Sequence, residues 1–143
     1  MITIEEVLQE EGCHISIVVG TSMYPMLRQR VDTVAVEKLK EPCVPMDVAL
    51  YRMPSGKYVL HRVLRVMEKE YLICGDNCIR LEHIPKEWVI GKLAAFYRGE
   101  RKIRLDSAGY RAYVLLWCRP YRMRIGLLRC RRALGRLYRK VRG

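Results

Sequence analysis

Between residues 15 and 106 the chain consists of short apolar runs, several with alternating polar residues, separated by turn-forming segments. Such runs predict β-strands. Pro54-Ser55-Gly56 lies between two of the runs and is typical of a hairpin turn. The pattern therefore predicts a mostly β fold, a small sheet or barrel, with strands near 15–20, 32–39, 47–53, 58–67, 70–75, 90–98 and 101–105.

A short helix is predicted before the first strand. Thr3-Ile4-Glu5-Glu6 has the form of a capping box, in which two side chains satisfy free backbone N–H groups at the start of a helix. Val7 and Leu8 share a face with Ile4, and Gly12 is expected to end the helix. This helix is too short and too acidic to be a signal peptide or a membrane span.

The C-terminal part is predicted to be helical and amphipathic. An apolar stretch at 110–117 is interrupted by Arg119-Pro120, because proline cannot continue a helix. After the break, apolar residues recur at steps of four and three, which places them on one helical face: Met123, Leu127, Cys130, Leu134, Leu137 and Val141. The chain thus divides into a short helix at 1–14, a β domain at 15–106 and a helical tail at 107–143.

The positive charge of the chain is concentrated in this tail. Lys and Arg total 27 against 15 Asp and Glu, and residues 111–143 hold 11 of the basic residues and none of the acidic ones. An apolar stripe between basic faces is typical of a helix lying on an anionic membrane surface, so we expect peripheral association with a membrane. Packing on the chain's own domain is the main alternative, and nucleic-acid binding is less favoured. The basic faces consist of Arg122, Arg124, Arg129, Arg131, Arg132, Arg136, Arg139 and Lys140.

The cysteines do not indicate a metal site. The six are Cys13, Cys43, Cys74, Cys78, Cys118 and Cys130, and no Cys-x-x-Cys pair occurs among them, which disfavours structural zinc. A chain of 143 residues can bury a core without disulfides. Free thiols, and hence a reducing compartment, are the favoured interpretation, with disulfides on an extracytoplasmic side as the alternative.

Ser22 is a candidate nucleophile. It lies in Gly20-Thr21-Ser22-Met23-Tyr24-Pro25, directly after the apolar run 15–19, so we expect it in a turn at the end of a strand. The same tripeptide Gly-Thr-Ser is also ordinary turn sequence. A serine hydroxyl needs a base within about 3 Å to become a good nucleophile. Of the three histidines, His61 lies in a β-rich segment and is the candidate base, whereas His14 and His83 are given no role.

Two acidic residues are candidates for orienting His61. Asp76 follows the apolar run Leu72-Ile73-Cys74 in a predicted turn, and Glu82 comes six residues later. A carboxylate beside the imidazole would fix its tautomer and favour the imidazolium. For both acids the alternative is the capping of a turn.

Six segments, in order along the chain, resemble the conserved boxes of type I signal peptidases. The resemblance covers about residues 15–97, and it fits the archaeal and endoplasmic-reticulum branch, in which histidine replaces the bacterial lysine base. The segments are Gly-Thr-Ser-Met-Tyr-Pro-Met-Leu at 20–27, Asp-Thr-Val-Ala-Val at 32–36, Asp-Val-Ala-Leu-Tyr at 47–51, Val-Leu-His-Arg-Val at 59–63, Gly-Asp-Asn at 75–77 and Val-Ile-Gly-Lys at 89–92.

This resemblance implies a serine endopeptidase with the coiled β-ribbon fold that signal peptidases share with LexA-type repressors. It implies Ser22 as nucleophile and His61 as base, with Asp76 ranked ahead of Glu82 as the acid, and it requires no metal or cofactor. The implied substrate is a preprotein or peptide cut after a small-x-small sequence, paired with a sheet edge. Residues expected beside the substrate groove are Val18, Met23 and Tyr24.

The chain departs from the family in three places. Family members usually have a membrane-spanning helix just before the serine box, and no such segment is expected before Ser22. Glycines of the family pattern are replaced by Val31 and Met46, so we expect local differences in those two turns.

Two other functions stay open at this point. A LexA-type self-cleaving or DNA-binding regulator is disfavoured because no helix-turn-helix fits before Ser22 and because the base is a histidine. A degenerate peptidase fold that serves as a membrane-bound binding module is the second. Convergence of Ser22, His61 and an acid within hydrogen-bond reach distinguishes the enzyme from this module.

Overall fold

A computed structural model describes residues 2–142, and one antiparallel sheet of eight strands forms its centre. The sheet has the order β1-β2-β7-β3-β4-β5-β6, and β8 pairs with β7. The mostly β prediction is confirmed. The strands are β1 (Cys13–Ile17), β2 (Asp32–Lys38), β3 (Val48–Arg52), β4 (Tyr58–Val66), β5 (Glu70–Cys74), β6 (Glu82–Pro85), β7 (Val89–Arg98) and β8 (Arg101–Arg104).

The predicted N-terminal helix is confirmed as α1 (Ile4–Glu11). The Thr3 hydroxyl accepts the Glu6 backbone N–H at 3.2 Å, and the Glu6 carboxylate accepts the Thr3 N–H at 2.8 Å, which is the capping box. Gly12 ends the helix in the left-handed conformation, with φ of 78°. Leu8 is the buried residue of α1 and joins the main core.

The strand boundaries differ from the prediction at two places. β1 ends at Ile17 rather than at residue 20, because the chain leaves the ladder and enters the loop that contains Ser22. β6 was not predicted, since four residues that include a glutamate, a histidine and a proline have no apolar alternation. It is an edge strand that pairs with β5, and there proline is tolerated.

The hairpin between β3 and β4 fixes the position of the candidate base. Gly56 in the predicted Pro54-Ser55-Gly56 turn has φ of 89°, and the Met53 backbone N–H donates to the Lys57 carbonyl at 2.8 Å. The resulting register pairs His61 with Ala49. Residues on β4 alternate between the two sides of the sheet as far as a β-bulge after Val63, so His61 and its neighbour Arg62 point to opposite sides.

The two turns that lack a family glycine contain residues with positive φ. Met46 itself adopts φ of 78°. At the other turn the positive φ of 61° falls on Arg30, the residue before Val31. Met46 thus takes a conformation that favours glycine, whereas at the other turn this conformation falls on Arg30 and not on Val31.

The C-terminal part packs on the sheet at its beginning and is exposed at its end. It consists of α2 (Ala108–Tyr113), a π-helical turn (Val114–Cys118) and α3 (Tyr121–Arg142), with the helix interrupted before Tyr121 as predicted. Its buried residues are Val114, Cys118, Arg124, Ile125 and Leu128. Among residues 2–142, no helix is both long and apolar enough to cross a membrane.

Two glycines provide a matched test of the packing between β7 and β2. A Cβ atom on Gly91 in β7 would lie 2.7 Å from the Glu37 carbonyl oxygen, whereas nothing lies within 4 Å of a Cβ on Gly135 in α3. We expect Gly91→Ala to lower the free energy of unfolding by about 1–3 kcal/mol because backbone must shift. Gly135→Ala should raise it by up to about 1 kcal/mol through helix propensity. Urea unfolding of both variants measures this, and equal stability of the two would contradict the packing around Gly91.

Candidate active site

The loop between β1 and β2 presents Ser22 and is held by the turn that follows β5. The Asn77 backbone N–H donates to the Ser22 carbonyl at 2.9 Å, and the Asn77 side-chain amide donates to the Thr21 carbonyl at 3.1 Å. Met23, the next residue, is buried in the core. The backbone around Ser22 is therefore held by the hydrogen bonds from Asn77 and by the burial of Met23, whereas Ser22 itself is half-exposed.

Gly75 brings Ser22 and His61 together. A Cβ atom at this position would lie 2.6 Å from the Ser22 carbonyl oxygen and 3.2 Å from Cδ2 of the His61 ring. The Ser22 carbonyl oxygen and the His61 ring both border the space that a Cβ atom would occupy, and only glycine leaves that space open. The Ser22 backbone and the His61 ring are thus neighbours across this glycine, and within residues 2–142 the Ser22 hydroxyl makes no hydrogen bond to His61.

Ser22 and His61 also line one cavity of about 660 Å³. Val18 and Met23, two of the expected groove residues, line it, whereas Tyr24 is exposed and does not lie among the lining residues. The rest of the wall comes from the edge strand β1, from the β3–β4 hairpin and from the turn after β5. Polar groups in the lining include His14, Ser16, Lys57, Asn77, Glu82 and Arg132.

A tyrosine stands between His61 and the nearest candidate acid. The Tyr51 hydroxyl lies 3.3 Å from His61 Nδ1 and 3.4 Å from Glu82 Oε2. The strand register explains this, because Tyr51 lies two residues from Ala49, the partner of His61, and therefore on the same side of the sheet. Glu82 reaches that side through the pairs Val63 with Ile73 and Ile73 with Glu82.

This chain of contacts favours one tautomer of His61. When the Tyr51 hydroxyl donates to the Glu82 carboxylate, its oxygen is left to accept a hydrogen bond from His61 Nδ1–H. The proton on Nδ1 leaves Nε2 without one. That nitrogen is then available to take a proton from a nearby hydroxyl.

The surroundings of His61 keep its imidazole neutral. Burial lowers the pKa of His61 below its ordinary value, and the Lys57 ammonium lowers it further. The carboxylates of Glu82 and Asp76 act in the opposite direction and raise this pKa, but less than burial lowers it. A neutral imidazole near pH 7 is the form that a general base requires.

Asp76, the acid ranked first from the sequence, is engaged elsewhere. Arg62 donates to both of its carboxylate oxygens, from Nε to Oδ1 at 2.9 Å and from NH2 to Oδ2 at 2.8 Å. The Tyr113 hydroxyl also donates to Oδ2, at 2.7 Å. Both charged side chains are 0% exposed. Asp76 thus forms a buried ion pair on the opposite side of β4 from His61, and its charge reaches the imidazole only at a distance.

The C-terminal part completes the surroundings of this ion pair. The Tyr110 hydroxyl accepts a hydrogen bond from Arg62 at 2.8 Å, and the Trp117 indole donates to the Asp76 carbonyl at 3.1 Å. Arg124, expected on a basic surface, is instead 1% exposed, and its guanidinium lies 3.8 Å from Asp76 Oδ1. Further along α3, Arg132 donates to the Asn77 carbonyl at 2.9 Å. The tail therefore contacts the turn that holds Ser22.

The cysteines near the site are thiols. All six cysteines of the chain are free, and Cys78 Sγ lies 3.8 Å from the Ser22 carbonyl. Burial raises the pKa of Cys78 and raises that of Cys74 to about 11, so both are protonated at neutral pH and are poor nucleophiles. Within residues 2–142, no cluster of three or more His, Cys, Asp and Glu residues is arranged to hold a metal ion.

Sequence reasoning missed Tyr51 and Arg132. Tyr51 lies in a run that predicts only a strand, yet the turn at Pro54-Ser55-Gly56 fixes the hairpin register and with it the contact to His61. That turn was the available signal. Arg132 was assigned to a membrane face, and nothing in the local sequence indicates its bond to Asn77.

Comparison of the chain with models of known protein families and with curated proteins found no match in either case.

Removing the negative charge or the positive charge near His61 should shift the pKa of His61 in opposite directions. Glu82→Gln removes an anion that stabilises the imidazolium, so the pKa of His61 should fall further. Lys57→Met removes a cation, so the pKa should rise toward its ordinary value. Titration of the His61 ring protons by NMR measures both shifts. Shifts of the same sign in the two variants would contradict this electrostatic picture.

Proposed function

We propose that the protein is a serine endopeptidase of the type I signal peptidase kind, with Ser22 as nucleophile and His61 as general base. One observation carries the proposal: Ser22 and His61 meet across Gly75 and line a common cavity. The resemblance of the six sequence segments supports it independently. Its fold, on this proposal, is the coiled β-ribbon of signal peptidases and LexA-type repressors.

The reaction follows from the roles of these groups. His61 Nε2 removes the proton of the Ser22 hydroxyl as Oγ attacks the carbonyl carbon of the scissile peptide bond. Backbone N–H groups at or next to Ser22 stabilise the oxyanion. The imidazolium then gives its proton to the leaving amine, and an acyl-enzyme forms. Water, deprotonated by the same imidazole, hydrolyses the ester and restores Ser22.

Tyr51 and Glu82 act as positioning residues in this proposal. Their hydrogen bonds hold Nδ1 protonated and leave Nε2 free to accept a proton, and the Glu82 charge favours the imidazolium that forms during the reaction. Asp76 instead stabilises the fold around Ser22, because its carboxylate is paired with Arg62.

The cavity fits an extended peptide. β1 pairs only with β2 in the described sheet, so its other edge is available to an added strand. Ser16 and Val18 line the cavity along this edge, and Ser22 follows within the same wall. A preprotein strand added here would carry its scissile bond toward Ser22. Its small side chains would face Val18 and Met23.

Replacing the nucleophile or the base should abolish cleavage. Ser22→Ala and His61→Ala are each expected to lose about 10⁴-fold or more in turnover, and the double variant should be no worse, because the two groups act as one unit. The assay is cleavage of a preprotein with a small-x-small site, followed by gel and mass spectrometry. Near wild-type activity in His61→Ala would reject the base, and Lys57 would be the next one to test.

Substitutions at Tyr51 and Glu82 should affect turnover, whereas a substitution at Asp76 should affect stability. Tyr51→Phe and Glu82→Gln should lower turnover by about 10- to 1000-fold with little loss of stability, since Tyr51→Phe keeps the buried ring and removes only the hydroxyl beside the imidazole. The acid limb of the pH profile should move to lower pH in Glu82→Gln, because the His61 pKa falls. Asp76→Asn should instead lower the free energy of unfolding by about 3–5 kcal/mol, because it leaves Arg62 buried without its partner.

Turnover per folded molecule and urea unfolding, measured on the same samples, separate the two roles. Glu100→Gln is a matched control, since it neutralises an exposed carboxylate in the turn between β7 and β8, outside the cavity, and should affect neither quantity strongly. If Asp76→Asn folded normally but lost turnover while Glu82→Gln remained active, Asp76 would be the orienting acid after all.

A further inference from the structure

The apolar stripe of α3 faces away from the domain. Taking about 100° per residue, its six members span about 80° of the helix, and the buried Leu128 lies about 140° from their middle. Five of them are between 54% and 80% exposed, and Cys130 is exposed as well. The five are Met123, Leu127, Leu134, Leu137 and Val141.

Cations flank this stripe on both sides. On the same helical geometry, Arg129 and Lys140 lie about 100–120° to one side of its middle, and Arg131 and Arg142 about 80–100° to the other. Every residue from 129 to 142 is exposed, and none of them is acidic. This half of α3 therefore presents an apolar strip between two rows of positive charge.

The combination of the two features selects the binding partner. A second copy of α3 would cover the stripe but would bring its own positive rows against the first, which is unfavourable. Nucleic acid would neutralise the arginines but would leave the leucines in water. An anionic bilayer satisfies both, because apolar side chains enter the acyl boundary while long basic side chains reach the headgroups.

We propose that α3 docks flat on an anionic lipid bilayer through the stripe Met123, Leu127, Cys130, Leu134, Leu137 and Val141. Packing of Ile125 and Leu128 on the domain fixes the helix so that this face points outward. Arg132 links the docked helix to the cavity wall through its bond to the Asn77 carbonyl at 2.9 Å. A docked chain thus holds the cavity at the membrane surface. The presentation of substrate there depends on the proposed peptidase function, but the docking does not.

The test uses the full chain and vesicles of phosphatidylcholine with and without about one-third phosphatidylglycerol, a proportion that gives a strong negative surface potential. Co-sedimentation should show binding to the anionic vesicles at low salt, weaker binding at high salt, and little binding to pure phosphatidylcholine. Ser22→Ala should bind as the wild type does. Failure of the peptidase assay would leave this result unchanged, so the two proposals fail separately.

Adjacent substitutions on α3 provide the matched control. Leu134→Gln should weaken vesicle binding about tenfold, because one large apolar side chain leaves the acyl boundary. Ala133→Gln changes the neighbouring exposed residue off the stripe and should have little effect. Arg131→Gln should weaken binding about fivefold, the value expected for one cation near an anionic surface. Circular dichroism checks that the helix is retained in each variant.

Three results would overturn the proposal. The first is no sedimentation with anionic vesicles at low salt. The second is equal loss of binding in Leu134→Gln and Ala133→Gln, which would mean that the stripe does not enter the bilayer. The third is tighter binding to a duplex oligonucleotide, or self-association by sedimentation velocity, that competes with vesicles. Nucleic acid or a second copy would then be the partner of α3.

Discussion

The ion pair between Arg62 and Asp76 joins three parts of the molecule next to the candidate site: strand β4, the turn after β5, and helix α2. Removing two charges from water is costly, and in a dry interior the cost is offset only where the geometry is good and the remaining hydrogen-bonding groups are satisfied. Two parallel N–H donors from Arg62, and the hydroxyls of Tyr110 and Tyr113, meet that condition. Two of these partners come from α2, so the pair requires the C-terminal part to be folded against the sheet.

The residues on either side of this pair are those of the candidate site. Arg62 follows His61 on β4, and Asp76 lies between Gly75, which separates Ser22 from the imidazole, and Asn77, which holds the Ser22 carbonyl. The pair therefore fixes the spacing of serine and histidine from the opposite side of the sheet. Asp76 can therefore shape the surroundings of Ser22 without contacting the imidazole.

Local patterns predict most elements of the fold, whereas tertiary contacts determine which side chains meet at the candidate site. Alternation and turn chemistry predicted seven of the strands, and the capping box predicted α1, because each depends on neighbours in sequence. β6 was missed because Glu82–Pro85 takes its strand conformation from pairing with β5. The pairing of Asp76 with Arg62 depends on the register that places Arg62 opposite Cys74 between β4 and β5, which no local pattern encodes. Ser22 and His61 are only weak candidates from their local sequence, and the combined order of six segments strengthens both.

The two halves of α3 obey different physical constraints, although their sequences look alike. In the first half, Arg124 is buried beside the ion pair, and its guanidinium makes no hydrogen bond within residues 2–142, so the one Asp76 carboxylate faces two buried arginines. In the second half, every arginine has water around it. A uniform amphipathic helix would be free to rotate about its axis on the domain. Because burial of Arg124, Ile125 and Leu128 fixes that rotation, the exposed stripe has a defined direction relative to Ser22.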